Sequence, residues 1–191
     1  MNKYFKALSL STLVLTTLLA APAWAQQKLV PAQSNIRFAI QQMGVTVQGQ
    51  FKRFDAQVAF DPAKPEAAKL AFTVDTASAT MGSPEIDPEL PKPVWFNTAK
   101  FPQATFQSTT VKALGVGKLE VGGKLTVKGN TRDVVVPVTL TQSGPTTFAS
   151  GQFALQRLAY KIGENEWADT SMVADAVQVQ FKIALTGVAK L

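Results

Sequence analysis

The 191-residue chain contains no cysteine and no histidine. These absences exclude a disulfide scaffold, zinc sites built on Cys or His, haem or iron–sulfur centres held by those residues, thiol nucleophiles and any triad with a histidine base. Most common hydrolase chemistry goes with them. Charge is sparse too: 17% of residues are charged and 46% are apolar, a composition that supports a buried core and excludes disorder. The length suits one domain, or a targeting segment followed by one domain.

Lys3 and Lys6 precede an uncharged, Leu-rich run over residues 7–20, and Ala23-Trp24-Ala25 puts small residues at the two positions a signal peptidase reads. The pattern predicts a secretory signal over residues 1–25, cleaved after Ala25, a mature domain over residues 26–191 and a periplasmic location. The run is about fourteen residues long, short of the ~20 needed to cross a bilayer as a helix. With no Cys a lipid-modified lipoprotein is excluded, and with Arg37 the first arginine a twin-arginine signal is absent. Loss of the leader lowers the net charge from +6 to +4. The basic residues are scattered singly, so no nucleic-acid partner is expected, while transient contact with a membrane surface is compatible with the mild positive balance.

Period-two alternation recurs along the whole mature chain. Val177, Val179, Phe181, Ile183 and Leu185 interleave with Gln178, Gln180, Lys182, Ala184 and Thr186, which puts the large apolar groups on one face of a strand. The same logic marks Ile36 to Ile40, then Val45, Val47, Gly49 and Phe51 continuing through a bend to Val58 and Phe60, then Leu70 to Val74. Further strands surround Phe106, Leu119 to Val127, Val134 to Leu140, and Phe153 to Leu155. Gly129-Asn130, Gly144-Pro145 and residues 115–117 mark hairpin turns. The reading is all-β, with eight antiparallel strands closing into a barrel and one or two short helices in the two long connections, residues 81–103 and 158–174. Alternation alone does not say which face points inward. An outer-membrane barrel carries the same period with its apolar face toward lipid, although modest strand lengths and the lack of paired aromatic girdles favour a soluble one.

Without His and Cys, acid–base chemistry would fall to carboxylates. The densest group is Glu164, Glu166, Asp169 and Asp175 in and after the second long connection, where no fixed spacing on one strand pairs two of them. Glu164-Asn165-Glu166 and Asp169 do not match the calcium-loop ladder, and Gly115-Val116-Gly117 lacks the third glycine of a dinucleotide fingerprint and precedes a strand. No metal site and no cofactor are implied. The aromatics are more informative. The chain has twelve Phe, seven of them on the apolar faces of strands, and pattern alone leaves a filled barrel and a ligand cavity equally open.

Several segments resemble the YceI-like family of secreted lipocalin-like proteins. They are Ser34-x-Ile36-x-Phe38 with Gly44, Gly49, Phe51 and Phe54; Phe60-Asp61-Pro62; Trp95-Phe96-Asn97-Thr98-Ala99-Lys100-Phe101-Pro102; Gly123 to Arg132; Arg157-Leu158-x-Tyr160-x-Ile162-Gly163; Trp167-x-Asp169; and Asp175-x-Val177. The matches run in order over most of the mature chain. The resemblance implies a barrel with an elongated apolar pocket that holds a polyisoprenoid chain, and a carrier or store, not an enzyme. Phe38, Leu70, Phe72, Phe106, Leu125, Phe153, Leu155 and Phe181 are then the candidates to line the pocket, with Arg157 and Lys161 as candidates for a head group near one mouth. Pro91-Lys92-Pro93-Val94 and Asn97 depart from the family pattern, and two prolines so close together let a regular helix start only at or after Pro93.

Overall fold

A computed structural model describes residues 27–191, so the expected leader lies outside the described residues. Eleven strands are present among them: β1 (Lys28–Leu29), β2 (Asn35–Gln42), β3 (Val45–Phe51), β4 (Phe54–Ala59), β5 (Lys69–Asp75), β6 (Ala79–Thr80), β7 (Gln103–Gly115), β8 (Lys118–Val127), β9 (Asn130–Ser143), β10 (Thr146–Gln156) and β11 (Val173–Thr186). All pairings are antiparallel, in the order β4-β5-β7-β8-β9-β10-β11-β2-β3-β6, with β1 on β11. The eight expected strands become nine substantial ones because the run from Val45 to Phe60 breaks at Lys52 and Arg53. Two short bridges, β1 and β6, make up the rest.

The path has two ends, and the chain stitches them together. After β5 the turn Thr76–Ser78 crosses to β6, which pairs with β3 through Gln50 and Phe51. On the way Ser78 accepts the Arg53 N–H at 3.0 Å through its hydroxyl and the Lys52 N–H at 3.1 Å through its carbonyl. Elsewhere along the seam the Gln27 side chain donates to the Phe60 carbonyl at 2.5 Å and accepts the Phe60 N–H at 3.0 Å. Hydrogen-bonding groups at the margins of an open sheet are thereby satisfied.

The apolar face points inward. Outward positions on β2, β10 and β11 include Arg37, Gln41, Gln152, Gln156, Gln178, Gln180 and Lys182, all exposed, so these strands present no apolar band to lipid as a membrane barrel would. Register then sets the two ends. The turns between β2 and β3 and between β8 and β9 lie at one end with both long connections, and the turns at residues 116–117 and 144–145 lie at the other. The β8–β9 turn is Lys128-Gly129, one residue earlier than the sequence reading. Val127 pairs with Asn130, and φ values of 48° and 75° put both central residues in the left-handed region that a two-residue hairpin turn demands.

Residues 81–102 form consecutive turns without a regular helix, and they carry Leu90 and Phe96 into a buried cluster with Ala104, Val127 and Tyr160. The second long connection holds two short 3₁₀ turns, Arg157–Tyr160 and Asn165–Ala168. A separate buried cluster, including Leu119, Val121, Ile183, Leu185 and Val188, lies toward the opposite end.

Candidate functional site

Between the two clusters the barrel is hollow. An outer chamber of about 230 Å³ lies under the long connections, with walls from Phe38, Val47, Phe51, Leu90, Trp95 and Trp167. An inner chamber of about 200 Å³ continues toward Leu140, Leu185 and Val188. Val127 and Leu155 line both, so the chambers meet at these two side chains. Thr147 contributes the one polar side chain in the inner wall, whereas Gln42, Glu85, Glu89 and Arg157 line the outer chamber.

Leu70, Phe72, Phe106, Leu125, Phe153, Leu155 and Phe181 line the inner chamber, and Phe38 lines the outer one, as does Leu155. All eight point inward, yet each is only half-buried. In a filled core such side chains would be covered on every side. Their remaining exposed surface faces the hollow, which decides between the two barrels that the alternation left open. Val45, assigned by alternation to the same inward series, is 64% exposed because it sits at the tip of the β2–β3 hairpin, past the barrel rim.

The two basic candidates fare differently. Arg157 is 1% exposed, and all five of its N–H groups are engaged. Nε donates to the Ala174 carbonyl at 3.0 Å, Nη1 to those of Ile162 and Gly163 at 2.9 Å, and Nη2 to those of Trp167 at 2.6 Å and Val173 at 2.7 Å. Burial pushes its pKa down, and the Asp175 charge opposes that shift. The guanidinium therefore holds the second connection in shape and has no N–H left for a ligand. Lys161 follows the Arg157–Tyr160 turn in a left-handed conformation, is exposed, and lines neither chamber. The geometry thus replaces the expected basic mouth with a rim bearing Gln42, Glu85 and Glu89.

Residues 27–185 match the YceI-like domain. The chain belongs to the YceI-like family. It is 35% identical to Protein YceI of Salmonella arizonae over 145 residues, 75% of each chain. It is 35% identical to a UPF0312 protein of Ectopseudomonas mendocina over 133 residues, 67% of this chain and 70% of that protein. Among solved structures it is similar to Burkholderia cenocepacia BcnA at 39% identity and TM-score 0.80, over 82% of this chain and 99% of that one. It shares its fold with a polyisoprenoid binding domain from Saccharophagus degradans at 13% identity and TM-score 0.69, over 85% of this chain and 98% of that one.

In this YceI-like barrel the four acids singled out by sequence do not converge. Glu164 accepts from Lys128 at 2.9 Å, Asp169 from the Ser171 hydroxyl at 2.7 Å, and Asp175 from the Leu158 N–H at 2.9 Å, while Glu166 is exposed. The hydrogen bonds lower the pKa of Glu164 and of Asp169. Lys128 lines neither chamber but donates to both long connections, a role that the sequence reading missed because a lysine in a hairpin turn reads as solvated. The tryptophan pair was missed as a cavity wall as well. Trp95 and Trp167, one from each long connection, meet with ring centroids 5.5 Å apart.

Proposed function

We propose that this YceI-like protein is a non-catalytic periplasmic carrier that holds a long-chain isoprenoid or similar apolar lipid in its two chambers. The observation that carries the reading is the half-buried inward wall. The barrel turns large apolar side chains onto a hollow whose inner wall is almost wholly hydrocarbon, a surface that an apolar guest would cover with a gain in free energy. The name of the Saccharophagus degradans domain, a polyisoprenoid binding domain of the same fold, supports an isoprenoid as the guest.

Magnitudes favour a shuttle over an irreversible sink. Each buried CH₂ is worth ~0.8 kcal/mol against water, so a chain of about eight prenyl units would exceed the ceiling of roughly 20 kcal/mol for any noncovalent complex. Ordering of the chain offsets part of that gain, and the guest comes from a bilayer, not from water. Transfer is therefore close to balanced, and release is as accessible as capture. The rim residues Gln42, Glu85 and Glu89, with the Arg157 donors already engaged, support an uncharged polar end on the guest. Met43 and Val45 at the outer hairpin are 73% and 64% exposed, and the Met43 N–H donates to the carbonyl of exposed Met172 at 2.8 Å. Three uncovered apolar side chains at the outer end support brief contact with a membrane surface during transfer.

The test is native mass spectrometry on protein released from its own host by osmotic shock without detergent, followed by identification of the molecule that leaves on denaturation. An isoprenoid lipid at near-stoichiometric occupancy is the expected result. Lipid-free protein that also fails to take up geranylgeraniol overturns the reading. Joint replacement Glu164→Gln, Glu166→Gln and Asp169→Asn is expected to leave occupancy unchanged, with the guest recovered intact from both forms. Guest turnover that this replacement abolishes would make the protein an enzyme.

A further inference from the structure

Three inward strand positions carry glycine where the alternation otherwise places large apolar groups: Gly49 on β3, Gly123 on β8 and Gly151 on β10. None has a positive φ, so no left-handed turn requires glycine there. What they share is a phenylalanine from the neighbouring strand. Phe38 pairs in register with Gly49, and Phe181 with Gly151, while Phe106 lies two residues from the Ser108 partner of Gly123. A methyl group built on any of the three would meet the far edge of that ring. At Gly123 and Gly151 it would also press on the carbonyls of Gln107 and Pro137, whereas at Gly49 the three nearest atoms all belong to the ring of Phe38.

A phenylalanine that stood straight inward from the wall of a barrel this narrow would fill the bore. These three lean sideways along the wall, each into the space a neighbour vacates by having no side chain. Phe38 borders the outer chamber, and Phe106 and Phe181 border the inner one. We infer that the Phe38–Gly49, Phe106–Gly123 and Phe181–Gly151 pairs set the bore, and so admit methyl-branched isoprenoid chains that a narrower tube would exclude. This rests on the lipid-carrier reading. An unbranched chain is slimmer and tolerates a narrowed bore; a methyl branch on every fourth carbon does not.

The experiment compares geranylgeraniol with an unbranched twenty-carbon alcohol by displacement of a fluorescent apolar probe, in wild type, Gly49→Ala, Phe38→Leu and the double variant. In Gly49→Ala the ring of Phe38 must swing into the outer chamber, so geranylgeraniol weakens by about tenfold while the unbranched alcohol changes by much less. In the Phe38→Leu background the added methyl meets no ring, so the double variant matches Phe38→Leu in binding and in melting temperature. That second comparison decides the matter even if Gly49→Ala alone fails to fold. Equal binding of both alcohols by Gly49→Ala and wild type overturns the inference, as does a double variant much weaker than Phe38→Leu. Wild-type protein that binds neither alcohol removes the carrier reading and the inference with it, which separates the two failures.

Discussion

Lys128 Nζ stands 2.9 Å from Glu164 Oε2, with the lysine side chain 5% exposed and the glutamate 44% exposed. The same ammonium donates to the carbonyls of Lys161 at 2.5 Å and Val94 at 3.4 Å. Its three donors thus tie the β8–β9 turn to both long connections, which roof the outer chamber. Lys128→Met is expected to cost about 1–3 kcal/mol, because it strips partners from groups that packing keeps from full hydration. Glu164→Gln is expected to cost less than about 1 kcal/mol, since water reaches that side chain. Urea denaturation measures both. The near-ultraviolet circular dichroism of Trp95 and Trp167 reports separately whether the two connections remain docked.

Acid should loosen this roof before it unfolds the barrel. The hydrogen bond from Lys128 is the main cause that holds the Glu164 pKa below its ordinary value of 4.5, with burial opposing it. Asp87 is lowered by the Thr80 hydroxyl and the Met81 N–H, which it accepts at 2.5 and 2.7 Å where residues 81–102 leave β6. A carboxylate with a depressed folded pKa adds stability that is complete above its unfolded value and disappears as pH falls through the folded one. Stability is therefore expected to stay flat from about pH 5 to 9, where a chain without His or Cys has no side chain with an ordinary pKa. Below the ordinary carboxylate range the tryptophan signal should fade while the far-ultraviolet β signal persists, and Lys128→Met should shrink the Glu164 part of that loss.

The same residues show where sequence reading succeeds and where it stops. Alternation is legible over Val134 to Leu140 on β9 and Val177 to Ile183 on β11 because each holds one face inward there. The break at Lys52 and Arg53 is not, because apolar groups continue at Phe51 and Phe54 on either side while hydrogen bonding moves to Ser78. Whether Phe38 fills the barrel or lines it depends on which residue stands opposite. That residue is Gly49, a cross-strand relation visible only once the register is known. Arg157 and Lys161 look alike in the chain. The short turn between them buries one guanidinium among carbonyls and turns the other side chain out to water.

Arg157→Lys separates a scaffolding role from ligand binding. Lysine keeps the charge but offers three donors on a single nitrogen, so it cannot reach carbonyls that a planar fork bridges on several sides. A loss of about 3 kcal/mol or more is expected in urea denaturation, from a buried charge left poorly satisfied. Faster amide exchange should spread over residues 157–173, with the paired core of β8 and β9 unchanged. If Arg157 instead gripped a head group, affinity would fall with stability intact.

The junction of the chambers offers a direct check on how a guest lies. Leu155 pairs with Val177, points inward and borders both spaces, so Leu155→Trp puts an indole where the two chambers meet. The ring enters open volume, which limits overpacking, and stability is expected to change by less than about 1 kcal/mol. A guest that spans both chambers must then abandon one of them. Since exposing even two CH₂ groups forfeits about 1.6 kcal/mol, geranylgeraniol should weaken by tenfold or more. Geraniol, half as long, fits within one chamber and should bind Leu155→Trp nearly as it binds wild type. Val116→Ser, at an opposite-end residue that is 97% exposed, serves as the control and should leave both affinities unchanged. Equal losses for the long and the short alcohol in Leu155→Trp would mean that the chambers do not act as successive compartments for one chain.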